Sequence, residues 1–363
     1  MNKQNKVWTL LASLMLSIGL MMPASLLANE HGGAEEKTLD VTAMIFEHVG
    51  DSYYWHLTDW GETSIALPLP VMVYSQTSGF HCFMSSKFHH GHEAFEGFQI
   101  AGEESEYAGK IVEIVNGKEV RPFDISITKN VAGLILASIF LCWIVLGCAR
   151  WYKNRDGASP APKGFVGAFE MMVGFVYNDV IKPNIPQNTN RYAPYLLTAF
   201  FFIFFCNLTG LIPGSANLTG NIAITVCLAL FTFVIVNIFG TKAYWQEIFW
   251  NVELPAWLRP IMAVIEFIGL FTKPFSLTIR LFANILAGHA ALLGVLSVIF
   301  LTAISMPGAG NGIMSAVSVL LGIFLDCLEL LVAFIQAFVF TMLSSIYIGL
   351  SQVQHHHEHA HAE

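Results

Sequence analysis

Charged residues interrupt two long apolar segments in the last third of the chain, and Arg280 lies deep within the first of them. An Arg at the centre of a bilayer costs about 2.5–3.5 kcal/mol on insertion scales, so such residues usually face a water-filled path or a charged partner. The guanidinium stays protonated at any accessible pH. We therefore expect a functional role for Arg280, and a structural salt bridge is the alternative.

Helical spacing sorts the polar residues of this segment around one helix. Steps of four residues turn a side chain only about 40°, so Ser276, Arg280 and Asn284 share a face. His289 lies nine residues beyond Arg280, about 180° round the helix and about 13 Å further along it. Glu266 lies nearer the start of the same segment. We therefore expect His289 to contact different surroundings from Arg280.

The second apolar segment carries Glu329 and Gln336, seven residues apart and so on one face of a helix. If the two segments form an antiparallel hairpin, Glu329 can lie level with His289, and Gln336 level with Arg280. An imidazole and a carboxyl group near each other are suited to relaying protons, because His titrates near neutrality and burial raises a carboxyl pKa. The alternative for His289 is a packing role with its hydrogen bonds satisfied.

The elements that must position these residues are membrane helices. The chain has 363 residues, of which 55% are hydrophobic and 12% charged, and this excludes an ordinary soluble globular protein. We expect an all-α polytopic membrane protein with five mature transmembrane helices in a domain over residues 129–353. The expected spans are 130–149, 193–213, 221–240, 260–305 and 313–353. No nucleic-acid footprint accompanies the net charge of −8, so no nucleic-acid partner is expected.

The last two of these segments are too long to cross a membrane upright. Each exceeds about 60 Å at 1.5 Å per residue, against a hydrocarbon core of about 30 Å. We expect two long, steeply tilted helices that form a hairpin. Residues 164–191 are only moderately apolar, which favours a helix lying at the membrane interface.

The N-terminal third has the pattern of an exported segment. Residues 1–28 are typical of a signal peptide, with Lys3 and Lys6 before the apolar run WTLLASLMLSIGLMM. An uncleaved anchor is the alternative, because Leu26 stands where a small residue is preferred. Short apolar runs separated by Gly, Pro and charge predict a small exported β-rich domain over residues 29–128. The basic run after the first span, which includes Arg150 and Lys153, predicts that this side is cytoplasmic.

Two histidine-rich stretches are weak candidates for metal binding. The run FHCFMSSKFHHGHE contains His89, His90 and His92, and a solvated polar loop is the favoured interpretation. Residues 354–363, QHHHEHAHAE, are expected to be a cytoplasmic tail that either binds metal or is a solvated terminus. We predict neither a resident metal nor a cofactor.

Three motifs occur in a fixed order, namely FFIFFCNLTGLIPG, SLTIRLFANILAGH and ELLVAFIQAFVFTMLSSIY. With them, residues 130–352 resemble subunit a of F-type ATP synthases. The resemblance implies a site in which Arg280 is the family's essential arginine and Gln336 the glutamine beside it. It implies that Asn284, His289 and Glu329 form an inlet half-channel. Glu266 matches a position of the exit half-channel, to which we also assign Ser276.

The resemblance also implies what the chain does. It predicts a subunit that is not an enzyme on its own, with two offset proton half-channels against a rotating ring of small carboxylate-bearing membrane subunits. Further partners would be a peripheral-stalk membrane subunit, the other ATP synthase subunits and the lipid bilayer. The location would be a bacterial inner membrane, with a periplasmic N-terminal domain and a cytoplasmic C-terminus. A secondary transporter with a mid-membrane Arg/Glu substrate site is the alternative, but no internal repeat is visible.

Overall fold

The computed structural model describes most of the chain beyond its N-terminal segment. Residues 1–28 and 354–363, assigned above to a signal peptide and a tail, lie outside the described residues. The described residues are 50–60, 63–91, 93–102, 105–115, 117–153, 162–212, 215–250, 255, 257–305 and 309–352.

The described residues belong to two compact units. The first contains the described residues up to Ala137, together with Leu208–Leu218 and His289–Cys327. The second contains Ser138–Asn207, Thr219–Gly288 and the described residues from Leu328 onward.

The part of the first unit before residue 129 consists of short strands, as its alternating pattern predicts. They are β1 (Tyr54–Trp60), β2 (Thr63–Pro68), β3 (Pro70–Ser75), β4 (Gly79–Met84), β5 (Phe98–Ile100), β6 (Ile111–Val115), β7 (Lys118–Val120) and β8 (Phe123–Asp124). They pair antiparallel as β1–β2, β4–β3–β8 and β5–β6–β7. A small core of fully buried side chains includes Val71, Val73, Phe88, Phe98 and Ile111.

A buried carboxylate fixes the turn that follows β3. Glu113 accepts hydrogen bonds from Thr77 Oγ1 at 2.7 Å, from Ser78 Oγ at 3.1 Å and from Ser75 Oγ. Burial raises the pKa of Glu113, but the three hydroxyl donors outweigh it and hold the pKa below its ordinary value. The network therefore joins β6 to the β3–β4 hairpin.

The β-rich region is hydrogen-bonded directly to the first helix, α1 (Lys129–Lys153). The Lys129 N–H donates to Ser52 O at 2.8 Å, and the Asn130 N–H donates to Asp51 Oδ1 at 3.1 Å. Asp51 therefore satisfies one of the N–H groups that a helix leaves without an intrahelical partner at its start. The strands and the start of α1 are consequently held as one piece.

The remaining described residues are mainly helical. After α1 the helices are α2 (Phe165–Phe175), α3 (Lys182–Asn184), α4 (Thr189–Gly210), α5 (Ile222–Ile238), α6 (Lys242–Trp250), α7 (Arg259–Ser305) and α8 (Ala309–Ser351). A π-helical segment, Val176–Ile181, joins α2 to α3. The single interfacial helix expected over residues 164–191 is therefore divided into three segments.

Four of these helices, α1, α4, α7 and α8, are long and apolar enough to cross a membrane. The remaining expected span, 221–240, corresponds to α5, which has 17 residues and a length of about 26 Å. It meets α6 at an angle of 96°. A polytopic membrane protein is therefore the observed class, with four spans by length and up to five if α5 and α6 form one bent span.

Both long segments form continuous helices. Helix α7 has 47 residues, about 70 Å, and continues through Pro274. Helix α8 has 43 residues. Within the second unit the Lys273 ammonium lies 5.5 Å from the Tyr347 ring centroid, while Asn284 bonds to Gln336. Contacts that advance along α7 and recede along α8 show that the two helices run antiparallel within this unit; the complete hairpin and its tilt in the membrane stay predictions.

Candidate functional site

Three predicted site residues, Ser276, Arg280 and Asn284, occupy one exposed face of α7. The opposite face is apolar and buried, with Leu277 3% and Leu281 0% exposed. Within the described part of the chain, no carboxylate lies within ion-pair distance of Arg280. The guanidinium therefore points away from the core of its own unit.

Gln336 lies close to this face from the neighbouring helix. It is 3% exposed, and its Oε1 accepts a 2.7 Å hydrogen bond from Asn284 Nδ2. The expectation that Gln336 lies level with Arg280 stays a prediction; its observed partner, Asn284, lies one helical turn, about 6 Å, further along α7. The amide pair lies one turn from the arginine in the direction of His289.

Glu329 is buried against a glycine of α7. It is 8% exposed, and a Cβ atom at Gly288 would lie 3.1 Å from Glu329 Oε1 and 3.3 Å from its Cδ. A side chain at this position would press against the carboxyl group. Gly288 and Glu329 both belong to the second unit; the expectation that Glu329 lies level with His289 stays a prediction.

His289 belongs to the first unit and is 8% exposed. Its Nε2 lies 3.1 Å from Gly210 O, at the end of α4. The turn that follows also packs on α1, because a Cβ at Gly133 would lie 2.7 Å from the Ala216 side chain. The imidazole is thus positioned by a turn of the chain that the spacing argument did not identify.

The side of the site toward the start of α7 carries Glu266 and Lys273. Seven-residue steps place Glu266, Lys273 and Arg280 in one row. Lys273 and Tyr347, together with Asn237 and other residues, line a cavity of about 20 Å³, which holds about one water molecule. Lys273 and Tyr347 were absent from the predicted site, although a cation in an apolar segment signals such a role.

Asn207 is a third polar residue that sequence reasoning missed. It is 2% exposed in α4, and its Nδ2 donates a 3.1 Å hydrogen bond to Ala333 O of α8. An Asn inside the apolar run FFIFFCNLTG was the available signal, because a buried amide in such a segment requires a partner.

The weak metal candidates do not form a described centre. His89 and His90 lie in a 3₁₀ helix, Ser85–Gly91, and His92 lies outside the described residues. Among the residues that the structure describes, no group of three or more His, Cys, Asp or Glu side chains has the arrangement of a metal site.

Comparison with known proteins identifies a family for the helical region. The sequence model of the family described as ATP synthase A chain matches residues 132–349, more than half of the chain. This match contains every helical site residue named above. A second model, described as a domain of unknown function (DUF8433), matches residues 44–129, the β-rich region.

Curated relatives carry the same family name. Subunit a 2 of the ATP synthase of Chlorobaculum tepidum is 46% identical over 238 residues, covering 64% of this chain and 65% of the relative. Subunit a of Chloroherpeton thalassium is 42% identical over 251 residues, covering 67% and 73%. Subunit a of Anaeromyxobacter dehalogenans, strain 2CP-C, is 45% identical over 249 residues, covering 66% and 61%. The chain spans about two thirds of the length of these relatives. With the family model matched through the whole helical region, the chain belongs to the ATP synthase A chain family, that of subunit a of F-type ATP synthases.

Proposed function

We propose that the chain is the subunit of an F-type ATP synthase that provides two offset proton half-channels against a rotating, carboxylate-bearing ring. The observation that supports this most directly is the environment of Arg280. Its guanidinium is exposed beside Phe275 and Ile279, which are 66% and 39% exposed, and has no described carboxylate in reach. A charge on an apolar membrane face is costly, so a partner surface supplies its counter-charge.

Arg280 acts as the barrier between the half-channels. An opposite charge within about 4–6 Å lowers a carboxyl pKa, so a ring carboxylate beside Arg280 is held ionised. Because the guanidinium itself does not deprotonate, it repels a proton moving directly between the half-channels. Protons therefore cross only while bound to the turning ring. Each charge that crosses 100 mV carries about 2.3 kcal/mol, so several are needed for each ATP.

The inlet half-channel uses His289, Glu329, Asn284 and Gln336. Three of them are buried, and a carboxyl group and an imidazole can each bind and release a proton, which suits them to passing protons. The Asn284–Gln336 hydrogen bond orients an amide pair one turn from Arg280. Protons delivered along this side reach the ring carboxylate as it approaches the arginine.

The exit half-channel uses Ser276 and Glu266 on the other side of Arg280. Ser276 is exposed on the arginine's face, and Glu266 is half-buried about three turns further toward the start of α7. A half-buried carboxylate retains access to water and accepts protons released from the ring. This assignment places the two half-channels on opposite sides of the same arginine.

The chain has no catalytic role on its own, and the other subunits of the complex supply the catalytic sites. Its partners are the ring, a peripheral-stalk membrane subunit and the other ATP synthase subunits. Counting α5, five helices cross a bacterial inner membrane. The β-rich domain then lies in the periplasm and the C-terminus in the cytoplasm, as the basic run after α1 predicts.

Co-purification and proton flux test this function together. The chain is affinity-purified from native membranes in mild detergent, and ring and stalk subunits are expected to accompany it. The complex is then reconstituted, and ATP-driven acidification of the vesicles is followed with a pH-sensitive dye, an uncoupler serving as control. Purification without a ring, or exchange of an organic solute by vesicles holding the chain alone, contradicts the proposal and favours a transporter.

A further inference from the structure

The sheet β4–β3–β8 has two apolar faces, and the core covers only one of them. Val71 and Val73 point into the core and are fully buried. The other face presents exposed side chains, none of them charged: Tyr74, Phe80, Cys82, Met84, Phe123 and Ile125. Phe123 is 68% exposed and Phe80 61%. A contiguous apolar patch of this kind marks an interaction surface.

Strand register makes the patch continuous. Tyr74 is the Cα partner of both Phe80 and Phe123, so three aromatic residues form one row across the sheet. In the next row, the Ile125 N–H donates to Met72 O at 2.9 Å. Directly paired residues on one face have Cβ atoms about 4.5–5.5 Å apart, so the side chains touch. The six exposed side chains therefore belong to one continuous surface.

The sheet is fixed beside the start of α1. The Ile127 N–H donates to Pro70 O at 3.1 Å, and two residues later the Lys129 N–H donates to Ser52 O at 2.8 Å. Hydrogen bonding to the sheet therefore continues almost to the first residue of the helix. At no more than about 3.6 Å per residue, Ile125 lies within about 14 Å of Lys129.

We propose that this face rests on the lipid headgroups and inserts its aromatic side chains into the membrane interface on the side where α1 begins. The inference requires that α1 crosses the membrane, as the proposed function does. Lipid is the occupant because the patch is tied next to a membrane span, carries no charge and is rich in aromatic side chains, which favour the interface. Arg121, two residues before Phe123, is exposed and places a positive charge at the edge of the patch, where it can bind a headgroup phosphate.

The native cysteines provide the test. Cys82 lies on the patch and Cys142 in α1, and both are exposed, whereas Cys148 and Cys206 are buried and stay in place. Variants of the complete complex retain either Cys82 or Cys142 as the accessible cysteine, with the other exposed cysteines changed to Ala. In a third variant all the exposed native cysteines are changed to Ala and Lys118→Cys supplies the accessible cysteine, on exposed β7 outside the patch. Each variant is labelled with a nitroxide and reconstituted in phosphatidylcholine–phosphatidylglycerol vesicles. Only variants that retain ATP-driven proton flux are compared.

Power saturation compares access of oxygen, which partitions into lipid, with access of a water-soluble nickel chelate. We expect the Cys82 label to favour oxygen, as the Cys142 label does, while the Lys118→Cys label favours the chelate. A Cys82 label that favours the chelate shows a face in water and overturns the inference. Low access of both reagents to the Cys82 label shows that another protein surface covers the patch, and this result also overturns the inference. A Cys142 label in water contradicts the span itself, and with it the proposed function.

Discussion

Asn284 and Gln336 form a side-chain hydrogen bond between α7 and α8, with 2.7 Å from Nδ2 to Oε1, one helical turn from Arg280. Gln336 is buried on α8, whereas Asn284 shares the exposed face of the arginine. The bond therefore links a buried amide to the surface on which we place the ring.

Removing either amide is expected to lower proton flux to a similar extent. Asn284→Ala and Gln336→Ala should each reduce ATP-driven flux in reconstituted vesicles by roughly 2- to 10-fold, because a hydrogen bond contributes about 0.5–1.5 kcal/mol. If the bond is the shared cause, the double variant loses no more than the worse single variant. Losses that multiply would show that the two amides act independently.

Arg280→Ala is expected to abolish coupled proton pumping and ATP synthesis in a complex that still assembles, because both the barrier and the counter-charge are lost. Arg280→Lys should also fail, since a lysine lacks the planar donor fork and deprotonates more readily when desolvated. Ile279→Ala, one residue away on the same exposed surface, is the matched control and should pump. Normal coupled synthesis in either arginine variant rejects the proposed role.

Gly288 provides a steric test of the Glu329 position. Gly288→Ala brings a methyl group to 3.1 Å from the carboxyl oxygen, closer than ordinary van der Waals contact, so the carboxyl group must shift. We expect slower proton flux with normal assembly. Gly294→Ala is the control, because no heavy atom lies within 4 Å of its added methyl group. Equal flux in the two variants would show that the exact place of Glu329 does not matter.

Much of the fold could be predicted because it follows from composition and local pattern. The apolar segments gave α1, α4, α7 and α8 with their ends within a few residues, and the Gly, Pro and charge spacing gave the strands. Arg280, Ser276 and Asn284 on one face followed from helical periodicity alone. These features depend on neighbours in sequence, which is why the sequence suffices for them.

Features that depend on axial register or on distant partners could not be predicted. Periodicity places Gln336 on the face of α8 that contacts α7. Its pairing with Asn284, however, depends on the axial register between the two helices. The contact between His289 and Gly210 joins residues 79 positions apart. Backbone carbonyls and glycines carry no chemical signature in a single sequence, so such partners appear only in the fold.

The region before α1 is expected to be dispensable for proton transfer, because the proposed polar path lies in α7 and α8. A variant lacking residues 29–128, with its own signal peptide and an Asp before Lys129, should retain ATP-driven flux. The added Asp replaces Asp51, which accepts from the Asn130 N–H in the complete chain. A correctly inserted, assembled variant that conducts nothing would instead make this domain part of the inlet.

His289 and Glu329 are the two titratable groups of the proposed inlet. Each is 8% exposed. Glu329 packs against Gly288, and the antiparallel spacing predicts that it lies level with His289. We therefore expect protons to pass between the imidazole and the carboxyl group, directly or through one water. Removing either group should slow proton entry without opening a leak, because Arg280 still separates the half-channels.

Exchanging the two groups distinguishes a relay from two separate packing roles. His289→Ala and Glu329→Ala define the loss from each single removal, whereas the double variant His289→Glu with Glu329→His keeps both chemistries in reversed order. A relay needs one imidazole and one carboxyl group but tolerates their order, so this double variant should conduct more than His289→Glu or Glu329→His alone. ATP-driven flux and passive proton leak are measured in the same vesicles. A double variant no better than the worse single exchange rejects the coupling, since residues that act together show non-additive losses.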